Sequence, residues 1–208
     1  YHPSENNYLD ETSLNHNIEK KFIQSENKLV SWYFEKNPDY KTILFFHGNA
    51  GKLDNRVYKL NELSKLEINY LIIAYRGFSG NEGKPTESGL YEDAKSAKIW
   101  LNNNGVKDKD IILYGESLGT AVAVDLASKH KFAGIILESP FTSMTRLAQK
   151  YYPIFPVKII LKDKFDSINK IQKINSPLLV MHGEEDTIVP FSMGAVSYTH
   201  LTLPTNGC

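Results

Sequence analysis

The chain has 208 residues, 41% of them apolar and 12% aromatic, which suits one domain with a substantial core and is too short for two typical ones. Lysine plus arginine and aspartate plus glutamate both number 24, so the net charge is zero; with no basic stripe, nucleic acid is a poor partner. The single cysteine, Cys208, excludes an intrachain disulfide and a cysteine-based metal site, and no apolar run approaches a membrane span.

The chain starts at Tyr1 rather than methionine, which reads as a sequence whose upstream part is missing. Phe22-Ile23 and Leu29 to Phe34 flank Ser25-Glu26-Asn27-Lys28 as an antiparallel hairpin. Lys41 to Phe46 is a short apolar strand ending at His47-Gly48-Asn49-Ala50-Gly51. From Asn55 to Leu66, apolar residues at 57, 60, 63 and 66 have helical spacing. Tyr70 to Tyr75 is a second buried strand, followed by the glycine-rich loop 76–83. Ser88 to Leu101 is a helix that Asn102-Asn103-Asn104-Gly105 stops.

A third strand, Ile111 to Tyr114, runs straight into Gly115-Glu116-Ser117-Leu118-Gly119 and a helix over 118–129. Gly-x-Ser-x-Gly between a strand and a helix is the layout of a nucleophile elbow, in which a serine stands on a sharp, strained turn. Glycine is needed at 115 and 119 because neighbouring backbone comes too close for side chains there. The turn also aims the Leu118 amide at the space above Ser117. Phe132 to Leu137 is the next strand, 141–174 is irregular and partly helical with breaks at Pro153 and Pro156, and Leu178 to His182 is a last strand before Gly183-Glu184-Glu185-Asp186. Strands alternating with helices imply a mostly parallel sheet with right-handed crossovers and helices on both faces.

A serine hydroxyl is a weak nucleophile and needs a base that an acid orients, each on a later strand end. Asp186 suits the acid, with Glu138 as a positional rival and a capping role ahead of Pro190 as the plain alternative. The glycines of 47–51 let the Asn49 amide face an oxyanion beside Leu118; the plain alternative is an ordinary strand-to-helix turn. His47 precedes the serine and reads as a brace for that loop. The base is missing: only His200 follows Asp186, with thirteen residues between them, and it falls in a tail of different character. Residues 195–208, including Val196-Ser197-Tyr198-Thr199-His200-Leu201-Thr202-Leu203-Pro204-Thr205, closely resemble a translated sequencing adapter. His200 is therefore a weak candidate, and 1–194 is taken as one domain with 141–174 as a small cap-like insertion. Phe141, Met144, Tyr151, Tyr152, Phe155 and Phe165 could line an apolar acyl pocket or pack as core. No spacing of His, Asp or Glu fits a metal site, and loop 76–83 lacks a phosphate-cradling pattern, so no cofactor is expected.

Taken with Tyr75-Arg76-Gly77-Phe78-Ser79-Gly80-Asn81-Glu82-Gly83 and Ser139-Pro140-Phe141, these motifs resemble the α/β-hydrolase superfamily, and within it the serine aminopeptidase-like branch of small esterases and lipases. That resemblance implies two-step acyl transfer to water, from a small-molecule ester, thioester or amide. It also implies that a final strand, the catalytic histidine and a closing helix are cut off here. An N-terminal membrane helix often precedes a start like Tyr1-His2-Pro3-Ser4, so the parent is expected in the cytoplasm or anchored to a membrane. A non-catalytic scaffold that binds a partner, or a non-hydrolytic enzyme on the same fold, stays open.

Overall fold

In the computed structural model, residues 1–3 and 14–194 are described. Seven strands form one sheet in the order β2-β3-β6-β4-β7-β8-β9. The strands are β2 (Glu19–Gln24), β3 (Lys28–Phe34), β4 (Lys41–Phe46), β6 (Ile68–Ile73), β7 (Ile111–Glu116), β8 (Gly134–Glu138) and β9 (Leu178–Met181). The hairpin β2–β3 is antiparallel, and β3 pairs antiparallel with β6. From β6 through β4, β7 and β8 to β9 every pairing is parallel. The C-terminal ends of these strands therefore share one rim, where loops 47–51, 74–83, 117 and 139 and the turn at 183–186 emerge. A two-residue bridge, β1 (His2–Pro3) with β5 (Ala50–Gly51), lies beside that rim.

Alternate residues of the central strands feed two separate cores, as a pleated strand requires when both faces are covered. Leu44, Phe46, Leu71, Ile73, Leu113, Ile135 and Leu137 face α2 (Glu87–Asn103) and α3 (Leu118–Ala127). Ile43, Phe45, Tyr70, Ile72 and Tyr114 face the other way, with Leu60 of α1 (Val57–Leu63) and Leu53 of the 3-10 turn before it. All ten residues of α3 are buried, which fits its run Ala121-Val122-Ala123-Val124. Helix α2 begins at Thr86, whose hydroxyl accepts a hydrogen bond from the Gly89 amide at 3.1 Å.

The segment 141–174 holds three short helices, α4 (Met144–Tyr151), α5 (Val157–Ile160) and α6 (Ile168–Ile171). Its ends are rooted in the main core through Phe141, Phe165 and Ile171, whereas its middle, around Pro153 to Pro156, is exposed. The expected tail at 195–208, with His200, lies outside the described residues.

Candidate active site

Strand β7 delivers Ser117 to the rim, and the backbone there has φ 50° and ψ −112°. A left-handed φ on a non-glycine residue costs about 1–3 kcal/mol and persists only where surrounding structure enforces it. The enforcement is visible. A Cβ on Gly119 would lie 2.0 Å from the Phe46 carbonyl oxygen, and one on Gly115 would lie 2.5 Å from the Gly119 oxygen. Helix α3 is thus seated directly on the end of β4 and on its own incoming strand. The Ser117 amide donates to the Glu138 carbonyl at 2.9 Å, while the Thr120 amide and hydroxyl both donate to the Ser117 carbonyl, at 2.9 and 2.6 Å. Every backbone polar group of the serine is tied down and its hydroxyl is left to the rim.

The loop that leaves β4 is held from below. His47 is fully buried, with Nδ1 donating to the Gly48 carbonyl at 2.7 Å and its ring packed on Tyr75 and Phe78. Burial first, then the neighbouring Arg56 charge, holds the imidazole down at about 4, so it is neutral at pH 7. Arg56 clamps the same loop: Nη1 donates to the Ala50 carbonyl at 2.8 Å and Nη2 to Glu116 Oε1 at 2.6 Å. Glu116, inside the elbow motif, also accepts from Lys59 at 2.9 Å. Burial pushes its carboxyl up, but Arg56 and Lys59 outweigh that and keep it below the usual range.

Asn49 and Leu118 line a common cavity of about 400 Å³, with Tyr1, Met144, Ile160 and Phe165 among its other walls. Met144 and Phe165 are among those walls, Phe165 while also belonging to the main core. Phe141 is not: it is 1% exposed and belongs to the core, because the chain turns inward directly after β8. Tyr152 and Phe155 are not either. Both are exposed and pack edge-on against each other, since Pro153 and Pro156 carry them away from the sheet. Tyr1 and Ile160 were not anticipated from sequence; they reach the cavity through long-range packing that leaves no local pattern.

Asp186 sits past β9 on the same rim, two strands from β7. Its Oδ1 accepts from the amides of Ile188 and Val189, at 2.9 and 2.8 Å. Burial alone would raise its pKa; those two amides, with the Ser139 hydroxyl and His182, more than offset this and lower it. Ser139 is the link to the nucleophile, because it follows Glu138, whose carbonyl holds Ser117, and it too has a positive φ, 51°. Asp186 Oδ2 has His182 Nε2 at 3.6 Å, too far for a hydrogen bond, and that nitrogen instead meets the Val189 carbonyl at 2.8 Å. Oδ1 thus closes a tight turn through residues 186–189, which lie in a bend ahead of the helical residues that begin at 191. Glu138, the rival acid, is engaged elsewhere, by Lys59 and by the Tyr114 hydroxyl. Among the described residues, no group of three His, Cys, Asp or Glu side chains could hold a metal.

Residues 62–207 match the model of the prolyl oligopeptidase family. The chain belongs to that family, and so to the α/β-hydrolases. It is 38% identical over 173 residues to an uncharacterized protein of Mycobacterium tuberculosis, a match covering 82% of this chain and 62% of the relative. It is 36% identical over 185 residues to alpha/beta hydrolase domain-containing protein 17B of Homo sapiens, covering 86% of this chain and 62% of the relative. The chain thus spans less than two thirds of the length of these relatives. In fold it is similar to the Pyrococcus furiosus esterase Pf2001, with a TM-score of 0.77 at 22% identity over 96% of this chain and 84% of the esterase.

Proposed function

We propose that the complete protein is a serine hydrolase that cleaves a small-molecule ester, thioester or amide through an acyl-enzyme. Ser117 Oγ attacks the carbonyl carbon, and the Asn49 and Leu118 amides receive the developing oxyanion. A histidine oriented by Asp186 takes the hydroxyl proton, returns it to the leaving group, and then activates water to release the acid. Membership of an α/β-hydrolase family and the esterase-like fold support hydrolysis as the reaction class. The observation that carries the reading is the positive φ of Ser117, held by backbone packed on backbone at Gly115 and Gly119. Strain of this kind needs a reason, and presenting a nucleophile at the sheet's rim, next to the Leu118 that lines the cavity, is one.

The test is turnover of p-nitrophenyl esters and acyl thioesters by the complete gene product and by its Ser117→Ala variant. The variant is expected to lose several powers of ten in kcat with its fold intact, since a triad acts as a unit. Full turnover by Ser117→Ala would remove the serine from the reaction.

A further inference from the structure

The middle of the 141–174 segment carries an unusual surface. Ile154 is 93% exposed and Ile159 85%, and Tyr152, Phe155 and Ile160 are exposed beside them. They form one knuckle rather than scattered residues. The Phe155 amide donates to the Tyr152 carbonyl, the Val157 amide to Phe155, and the amides of Ile159 and Ile160 both to the Pro156 carbonyl. Tyr151 ties the knuckle to the neighbouring turn, its hydroxyl lying within hydrogen-bond distance of the carbonyls of Thr187 and Ile188 and able to donate to either, and the Ile188 side chain adds another exposed apolar group.

Within the segment itself the charge is one-sided, although Asp166 shares a cavity with Arg146 and Lys158 and the exposed Glu184 and Glu185 precede the turn that carries Ile188. From Thr142 to Lys162 the sequence has Arg146, Lys150, Lys158 and Lys162 and no carboxylate, although the whole chain is neutral. All four cations are exposed. The next acidic residue, Asp163, is turned inward, accepting hydrogen bonds from the Glu87 amide and the Tyr1 hydroxyl. An apolar tip inside a collar of cations matches a bilayer whose surface is anionic: the tip enters the headgroup boundary and the collar meets lipid phosphates. A protein partner would call for its own complementary pocket, whereas a membrane accepts a convex apolar tip.

We propose that this knuckle docks the protein peripherally on anionic phospholipid membranes, with Tyr152, Ile154, Phe155 and Ile159 inserted and the four cations on the headgroups. Among the described residues no helix is long and apolar enough to cross a membrane, so the contact is a surface one. Ile160 and Lys162 also line the cavity of Asn49 and Leu118. On the acyl-transfer reading, on which this last link rests, the docked cavity opens beside the bilayer, where acylated substrates reside.

The experiment is flotation of the purified protein with vesicles of phosphatidylcholine, alone or mixed with phosphatidylglycerol, which needs no hydrolysis. The protein is expected to float with the anionic vesicles and to be released by salt. Ile154→Asp with Phe155→Asp, and separately Lys150→Glu with Lys158→Glu, should each weaken partitioning by about tenfold or more. Leu66→Asp, an exposed apolar site just before β6 at the opposite rim, should leave it unchanged, with circular dichroism checking each fold. Absence of flotation, equal binding to neutral vesicles, or full binding by the Ile154/Phe155 variant would overturn the proposal. So would sedimentation velocity showing a dimer that this variant breaks while vesicles go unbound, because the occupant would then be a second copy of the chain. Loss of turnover in Ser117→Ala leaves flotation untouched, so the two readings fail separately.

Discussion

At the scale of single residues, the site depends on a few atoms that have no room to move. Gly119 is the clearest: a methyl group there meets the Phe46 carbonyl at 2.0 Å, backbone against backbone, so neither side can rotate away. Gly119→Ala is expected to destabilise the fold by about 3 kcal/mol or more, read by urea unfolding, the upper range for overpacking. Asp186→Asn is expected to keep the fold but lower kcat by about 10⁴, through the wrong imidazole tautomer, with Glu138→Gln having little effect. The reverse result in a turnover assay of the complete protein would move the acid to β8. His47 carries a pH signature. Its folded pKa is depressed to about 4 from the ordinary 6.5 of histidine, so the unfolded chain binds the extra proton first as pH falls. Its contribution is fully present above pH 6.5 and is lost progressively down to about pH 4, a change of about 3 kcal/mol. Unfolding free energies measured across that window should slope less in His47→Gln than in the wild type.

At the scale of elements, the rim is organised by contacts between pieces far apart in sequence. Arg56, from the turn before α1, bridges the Ala50 carbonyl and Glu116, sixty residues on, and Gly48 packs against both side chains. Breaking such a pair strands a largely buried carboxylate, so Arg56→Met is expected to cost about 3 kcal/mol in urea unfolding. Arg56→Met combined with Glu116→Gln should recover part of that loss. This clamp had no signature in the sequence, because neither residue belongs to a periodic pattern and their pairing is long-range. The elements themselves were legible. Continuous apolar runs gave the parallel strands, and the spacing at 57, 60, 63 and 66 gave α1, although its first turn is 3-10 and it ends at Leu63. The edge of β6 is two residues earlier than Tyr70 because Ile68 and Asn69 extend the pairing with Lys41 and Thr42. Apolar content alone could not separate core from pocket in 141–174. Phe141 turned inward, Phe165 and Met144 met the cavity, and Tyr152 and Phe155 went to solvent, an outcome set by the prolines and the β8 exit rather than by hydrophobicity.

At the scale of the whole molecule, the parallel strands bring the loop after β4, the elbow and the turn after β9 to one rim although they are separated by up to 137 positions in sequence, from Asn49 to Asp186. Strand order was not readable from the motifs, but their position at strand ends was, which is why the elbow, the loop after β4 and the turn after β9 could each be named beforehand. The base could not be named, because His200 lies outside the described residues. The central claim, that the elbow presents Ser117 as the nucleophile, is tested most directly by treating the complete gene product with a fluorophosphonate probe and mapping the adduct by peptide mass spectrometry. The account predicts a single phosphonylated residue, Ser117, and no labelling of Ser117→Ala. An adduct on another residue, or labelling that persists in Ser117→Ala, would contradict it.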